Sequence, residues 1–440
     1  AVAVVDDQDG QVPRVVVRPA DAAEVAEVLR FACSERLGVT PVGGGTMRWL
    51  GGPPARPDIA LSMERLNKVL EHYPSDLTLS AQAGAALAAV NNMLAATRQI
   101  LPLDAPLPHR STIGGIIAAG APAAGLRRLA YGTARDMLIG VQVVRPDGRS
   151  FRRGRMVMKN VAGYDLIRLQ YGALGSLGVI TAANFKLQPL PESSSAAIGT
   201  FATPTAAEAV VRRLLTSRLQ PAAILMFSVV GSAMGEHWQL CVRFDGRERA
   251  VIRQAGEVVE WVRAAGGDRV AALGAQAVEE MWPALVDFSQ MAEVGDDEVL
   301  LRVNVRTSDT LESLSIFVAQ CEAWGLSASS LVDVACGVIW LRIQAPVAHL
   351  AGTLPGIIQE WRARRAQVIV TAAPPVLRAQ LDLWGPAPPA LSVMQRLKRR
   401  FDPDGVLNVG RDLVSASLLA GGRSENGGLP LADSEESHVD

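Results

Sequence analysis

The chain has 440 residues, enough for two to three domains at about 150 residues each, and needs no disulfides to bury its cores. Its 43 Lys+Arg and 44 Asp+Glu leave a formal charge of -1, which argues against a nucleic-acid binder with its basic surplus or stripe. Hydrophobic content is 49%, yet no stretch reaches the roughly 20 apolar residues of a membrane span; the longest, Ile113 to Ala124, is broken by Gly and Pro.

In chain order, Val15-Val16-Val17 is a β-branched run. Asp21 and Glu24 have capping-box spacing, and Val25, Val28, Leu29 and Ala32 repeat at helical spacing. Gly38 closes that helix and Val39 to Val42 reads as a short strand. The opening is therefore β-α-β, followed at once by Gly43-Gly44-Gly45-Thr46. Ile59 to Met63 and Leu77 to Ala81 read as strands, and Ala85 to Thr97 as a helix. Met137 to Val144 and Arg149 to Arg152 flank Pro146-Asp147-Gly148 as a hairpin, and Gly178 to Phe185 is another strand.

A Pro/Ser-rich joint at residues 188–195 marks a first boundary. Beyond it, strands are expected at Ala197 to Phe201, Ile224 to Val230, Gln239 to Phe244, Val299 to Val305 and Val338 to Ile343. Helices are expected at Ala206 to Arg218, Arg247 to Ala264, Thr310 to Trp324 and Val347 to Arg364. The pattern is an α+β module on antiparallel strands, open to internal pseudo-repetition. A second boundary falls near Ala373-Pro374-Pro375. The helix Ala390 to Phe401 is basic and amphipathic, with Arg396 to Arg400 read as a solvated face or a partner-docking face. Residues 415–440 are polar and acidic near their end and are expected to be disordered.

Cys33, Cys241, Cys321 and Cys336 form no CxxC pair and read as buried small hydrophobes. If the protein passes single electrons to a metal cluster, that cluster belongs to another chain. Few scattered cysteines suit a reducing cytoplasm. Asp6, Asp7 and Asp9 stand where a secretory leader would be basic, so none is expected. Of the five histidines none pairs at i+3 or i+4, so no metal site is expected.

Four segments carry chemistry. In Pro41-Val42-Gly43-Gly44-Gly45-Thr46, successive glycines after a strand offer backbone N–H groups to a phosphate. No Gly-Lys-Ser/Thr follows, and residues 47–54 cannot open a regular helix, so neither a Walker loop nor a nicotinamide fingerprint fits. The second is Leu101-Pro102-Leu103-Asp104-Ala105-Pro106 with Ser111-Thr112-Ile113-Gly114-Gly115. The third is Tyr131-Gly132-Thr133-Ala134-Arg135-Asp136. The fourth is Lys159-Asn160-Val161-Ala162-Gly163-Tyr164-Asp165, leading to Gly178-Val179-Ile180. Singly, each also reads as loop architecture.

Together, in this order and spacing, the segments resemble the FAD-binding domain of the vanillyl-alcohol oxidase and para-cresol methylhydroxylase superfamily over roughly residues 13–190. Within it the chain is similar to the smaller flavin subunit of bacterial glycolate oxidase. Residues 157–165, Gly385-Pro386 and the ending Phe401-Asp402-Pro403-Asp404-Gly405-Val406-Leu407-Asn408-Val409-Gly410-Arg411 carry that narrower likeness.

The resemblance implies an α+β fold: a two-part FAD-binding domain of the vanillyl-alcohol oxidase type with an α+β cap on antiparallel strands. It implies an FAD-binding domain at 1–190, a cap at 191–374 and a return to the flavin domain at 375–414. The loop 43–47, entered through Pro41 and Val42, would hold the FAD pyrophosphate, with Thr46 and Met47 at its end. Pro106, Ser111, Thr112, Gly114 and Gly115 would line the facing wall. Tyr131, Gly132, Arg135 and Asp136 would brace the cleft, and Gly178, Val179 and Ile180 would pack main chain against the flavin or adenine. Met47-Arg48-Trp49 replaces the His or Cys of covalently linked relatives, so noncovalent FAD is expected.

The implied function is an FAD subunit of a 2-hydroxy-acid (glycolate-type) oxidoreductase, working beside an iron–sulfur subunit and a second flavin subunit. It would be cytoplasmic and peripheral to the inner membrane through partners. Two alternatives stand: an FAD-holding electron-relay or structural subunit without its own substrate site, and a self-sufficient FAD-dependent alcohol or sugar oxidase. No catalytic residue is assigned. Lys159, Asn160 and Tyr164 are candidates for flavin or substrate contact, and Arg302, Arg306 and Arg342 for a substrate carboxylate; turn-fixing and ion-paired surface roles are their alternatives.

Overall fold

A computed structural model describes residues 12–120, 125–156, 165–228, 237–288, 295 and 297–421. Three strands, Val15–Val17, Ile59–Ser62 and Val39–Val42, form a parallel sheet in that order. Asp21 caps the helix Ala22–Ser34, accepting from the N–H groups of Ala23 and Glu24. The buried side of that helix is Val25, Ala26, Leu29 and Ala32, the stripe its helical period requires.

Next comes a five-stranded antiparallel sheet. Its order is Val69–Tyr73, Thr78–Gln82, Val179–Lys186, Leu138–Val144 and Ser150–Gly154. The strand Val69–Tyr73 is not legible in the sequence because it is an edge, with exposed Val69, Leu70 and Tyr73. The helix Ile113–Ala119 stands where the sequence suggests loop; Thr112 caps it, and its Gly114-Gly115 pair hides the helical pattern.

The remaining sheet has eight antiparallel strands. Two βαββαβ units build it. One has strands Ser193–Phe201, Ala223–Ser228, Trp238–Gly246 and Asp268–Leu273. The other has Glu298–Asn304, Ser327–Asp333, Val338–Gln344 and Gln367–Ala372. They join where Ala223–Ser228 pairs with Ser327–Asp333. The expected pseudo-repetition is therefore structural. Three of these strands, 268–273, 327–333 and 367–372, are additional to those expected from the sequence. The first is half exposed and opens on Asp268-Arg269, and the second has three serines among its first four residues, which break its apolar alternation. Ser193 to Ser195, read as a joint, are already strand.

Period-two alternation splits this sheet into two faces. Val299, Leu301, Val303, Ile339, Leu341 and Ile343 join the core under the helices Glu248–Ala264, Thr310–Ala323 and Val347–Ala363. Leu300, Trp340, Leu331 and Cys241 belong to a second core shared with Trp49 and Leu126 of the flavin-side segments.

The C-terminal segment packs on the first sheet: Val39 N–H donates to the Val406 carbonyl at 2.8 Å and Asn408 N–H to the Val39 carbonyl at 3.0 Å. The helix Leu391–Phe401 differs from its expected solvated face at Lys398, which is 4% exposed. The Lys398 ammonium pairs with Asp402 at 2.6 Å and donates to the carbonyls of Ser176 and Leu407. Disorder expected from residue 415 is also corrected over its first residues, since Leu413–Gly421 is a helix. Asp412 begins it, accepting from the N–H groups of Val414 and Ser415 at 2.9 and 3.0 Å. Residues 422–440 lie outside the described residues. Among the described residues no helix is long and apolar enough to cross a membrane.

Candidate functional site

The strand Val39–Val42 delivers Gly43-Gly44-Gly45 to the mouth of a cleft. A Cβ at Gly43 would overlap Thr112 Oγ1, and one at Gly44 would overlap the Arg110 carbonyl. Gly45 has φ 72°, left-handed backbone that favours glycine. The glycines thus let the loop lie directly on the 110–112 segment. Thr46 Oγ1 and Ser111 Oγ, 2.9 Å apart, tie the two walls together. Thr112 Oγ1 accepts from Gly115 N–H at 3.3 Å, fixing the turn into the helix Ile113–Ala119.

Residues 41–47, Pro106, Ser111, Thr112 and Gly115 line one continuous wall. Gly114, Gly178, Val179 and Ile180 line its inner extension. Tyr131, Gly132, Arg135 and Asp136 line neither part. Tyr131 instead donates to Asp245 at 3.1 Å, and Asp136 closes a capping box with Thr133. Lys159, Asn160 and Tyr164 lie outside the described residues.

Arg48, Leu174, Asn408 and Arg411 also line the cleft and are additional to the site residues expected from the sequence. Asn408 and Arg411 stand in the C-terminal motif behind the glycolate oxidase likeness, the one signal that pointed to them. Asn408 has φ 46° and donates through Nδ2 to the Leu174 carbonyl. Arg411 Nη2 holds the turn after the glycine loop through the carbonyls of Arg48 and Leu50 at 2.8 and 3.0 Å.

Two buried polar atoms on this lining, Thr40 Oγ1 and Asn408 Oδ1, have no hydrogen-bond partner among the described residues. Buried polar atoms ordinarily find partners. A glycine loop with two such atoms fits a ligand carrying phosphate and hydroxyl groups, as FAD does.

Between this region and the eight-stranded sheet lies a network of buried charges. Asp104 pairs with Arg127 at 2.8 Å, Arg127 with Asp245 at 3.1 Å, Arg243 with Asp245 at 2.7 Å, and Arg128 with Asp333 at 2.9 Å. Burial works to raise the Asp104 pKa, but the Arg127 guanidinium and its hydrogen bonds outweigh it, so the carboxyl lies below its ordinary range. Its contribution is therefore full at neutral pH and is lost as pH falls below about 4 and through the folded-state value. Asp104→Asn is expected to lower the unfolding temperature at pH 7, with the gap to wild type narrowing below about pH 4. Thermal scans across pH check this; equal midpoints at pH 7 would contradict it.

Of the other arginine candidates, Arg306 pairs with Asp309 on the surface and Arg342 donates to the Phe288 carbonyl at 2.9 Å. Arg302 is buried. His72 bonds Gln99 and His349 bonds the Trp324 carbonyl. Among the described residues no group of three or more His, Cys, Asp or Glu side chains is placed to hold a metal. All four cysteines are free, with Cys241 and Cys321 buried.

Residues 13–153 match the family model described as an FAD binding domain. Glycolate oxidase subunit GlcD of Bacillus subtilis (strain 168) is 32% identical over 212 residues, covering 48% of this chain and 45% of that protein. Glycolate oxidase subunit GlcE of Escherichia coli (strain K12) is 25% identical over 389 residues, covering 88% of this chain and 95% of that protein. The chain spans about half or less of the length of several curated relatives it matches. Among solved structures, p-cresol methylhydroxylase with substrate bound superposes with a TM-score of 0.70 at 15% identity, over 93% of this chain and 90% of that one. The fold is thus the expected one. Residues 13–153 match an FAD binding domain, the chain is similar to glycolate oxidase subunits among the FAD-dependent oxidoreductases, and its fold is that of p-cresol methylhydroxylase.

Proposed function

We propose that the cleft walled by residues 41–47, 106, 111–115 and 178–180 is the FAD site, and that the chain is an FAD-binding subunit of a 2-hydroxy-acid oxidoreductase of the glycolate type. The observation that carries this is the Gly43-Gly44-Gly45 loop lying against Arg110 to Thr112 at the cleft mouth, beside the unpartnered Thr40 Oγ1 and Asn408 Oδ1. In this reading the backbone N–H groups of 43–46 hold the pyrophosphate. Thr40 and Asn408 offer their free oxygens to ligand hydroxyl or N–H groups. The apolar Ile116, Ala118, Ala119 and Leu174 keep water from the inner wall. FAD, when bound, supplies hydride acceptance and onward electron transfer; the chain's share is to bind it, orient it and dry its surroundings.

FAD is held without a covalent bond, because Met47, Arg48 and Trp49 follow the loop and neither His nor Cys stands there. Acid precipitation is expected to leave a colourless pellet and a yellow supernatant; yellow colour staying with the pellet would contradict this. Electrons leave through an iron–sulfur partner beside a second flavin subunit, with the cytoplasmic assembly peripheral to the membrane. The four separated cysteines support placing the cluster on another chain. Anaerobic addition of glycolate to the FAD-loaded chain tests the activity. Bleaching of the flavin supports a substrate site on this chain; an unbleached flavin here that bleaches only with the partner chains present would assign the substrate site to them.

A further inference from the structure

On the flavin-facing side of the eight-stranded sheet, the carboxylates nearest Arg302 are already taken by other arginines. Arg127 and Arg243 share Asp104 and Asp245, and Arg128 takes Asp333. Glu279, which also meets Arg243, is largely in solvent. Arg302 shares this face by the alternation that places Leu300 there. It is 3% exposed, has no carboxylate partner among the described residues, and its Nε has no hydrogen-bond partner.

A buried charge without a counter-charge is strongly unfavourable. Neutralisation does not relieve it: burial and the neighbouring Arg128 push the Arg302 pKa down only to about 10, so the group stays charged at neutral pH. Around it stand Arg128, Tyr171 and Asp333, with the Trp340 ring centroid 6.0 Å from Cζ. Asp333 is already engaged by Arg128 Nε at 2.9 Å and by the Cys336 N–H at 3.2 Å.

Tyr171 stands between this position and the helix that walls the cleft. A Cβ on Gly120 would lie 3.5 Å from a Tyr171 ring carbon. Gly120 ends the helix whose Ala118 and Ala119 line the cleft. The planar fork of a guanidinium matches a carboxylate, which it can bind through two parallel hydrogen bonds.

We propose that Arg302 anchors a site for a small carboxylate anion between the flavin-side segments and the eight-stranded sheet. Its role as a substrate site rests on the oxidoreductase reading above; its existence as an anion site does not. The missing counter-charge is the ligand's, so the protein is most stable with the anion bound.

The probe is oxalate, which has no C–H hydrogen to give up. Titration calorimetry and thermal unfolding are run on the full-length FAD-containing protein. Oxalate is expected to bind and to raise the unfolding temperature. Arg302→Met is expected to bind it at least about thirtyfold more weakly, with FAD content unchanged and an unfolding temperature without oxalate no lower than wild type. Arg302→Lys keeps the charge without the fork and is expected to bind about tenfold more weakly; it carries the test if the methionine variant does not fold. Wild-type protein indifferent to oxalate, or variants binding within about threefold of wild type, would overturn the site. Oxalate binding that depends on Arg302, with no bleaching by glycolate either alone or with the partner chains present, keeps this site and dismisses the oxidoreductase reading. Bleaching by glycolate with oxalate binding independent of Arg302 does the reverse.

Discussion

Gly44→Glu is expected to leave the chain without FAD while the eight-stranded sheet still folds. The Cβ alone would overlap the Arg110 carbonyl, so the loop must lift off the 110–112 wall to which Thr46 and Ser111 tie it. The added carboxylate then faces the place proposed for the pyrophosphate. Gly44→Ala shares the steric part without the charge and is expected to weaken FAD binding by about a hundredfold, about 3 kcal/mol. Flavin absorbance per purified chain measures both; full occupancy in the glutamate variant would place the phosphates elsewhere.

Lys398→Met is expected to destabilise the flavin-binding part by about 3–5 kcal/mol, the usual loss when one partner of a buried pair is removed. Its ammonium is the only cation paired with Asp402 among the described residues, at 2.6 Å. Asp402 also accepts from the N–H groups of Val406 and Leu407 at 2.8 and 2.9 Å. Those residues run beside Val39, whose strand ends in the glycine loop. The variant is therefore expected to lose FAD affinity together with unfolding temperature. An unfolding temperature equal to wild type would show that the pair adds nothing.

Much of this was legible in the chain order. The β-α-β opening, the hairpin around Asp147-Gly148 and most cap helices follow from local periodicity and turn chemistry. Lys398 was not, because in sequence it is one basic residue among Arg396, Arg399 and Arg400; only the fold brings Ser176 and Leu407 to it. Asn408 escaped for a similar reason. Its role depends on Leu174 and Val39, far away in the chain. The strand Ser327–Asp333 was hidden because its serines break the apolar alternation, though its leucine and valine feed separate cores on opposite faces. Arg302 was visible only as one of several cap arginines. What sets it apart, burial without a counter-charge, arises from which carboxylates the neighbouring strands have already engaged.

The central claim is that FAD occupies the cleft behind the glycine loop. Hydrogen–deuterium exchange on the chain with and without FAD tests it most directly. FAD is expected to slow exchange at the amides of 43–46 and 111–115 while leaving the helix-covered core of the eight-stranded sheet unchanged. Slowing confined to other segments, with residues 43–46 exchanging as fast as without FAD, would contradict the account.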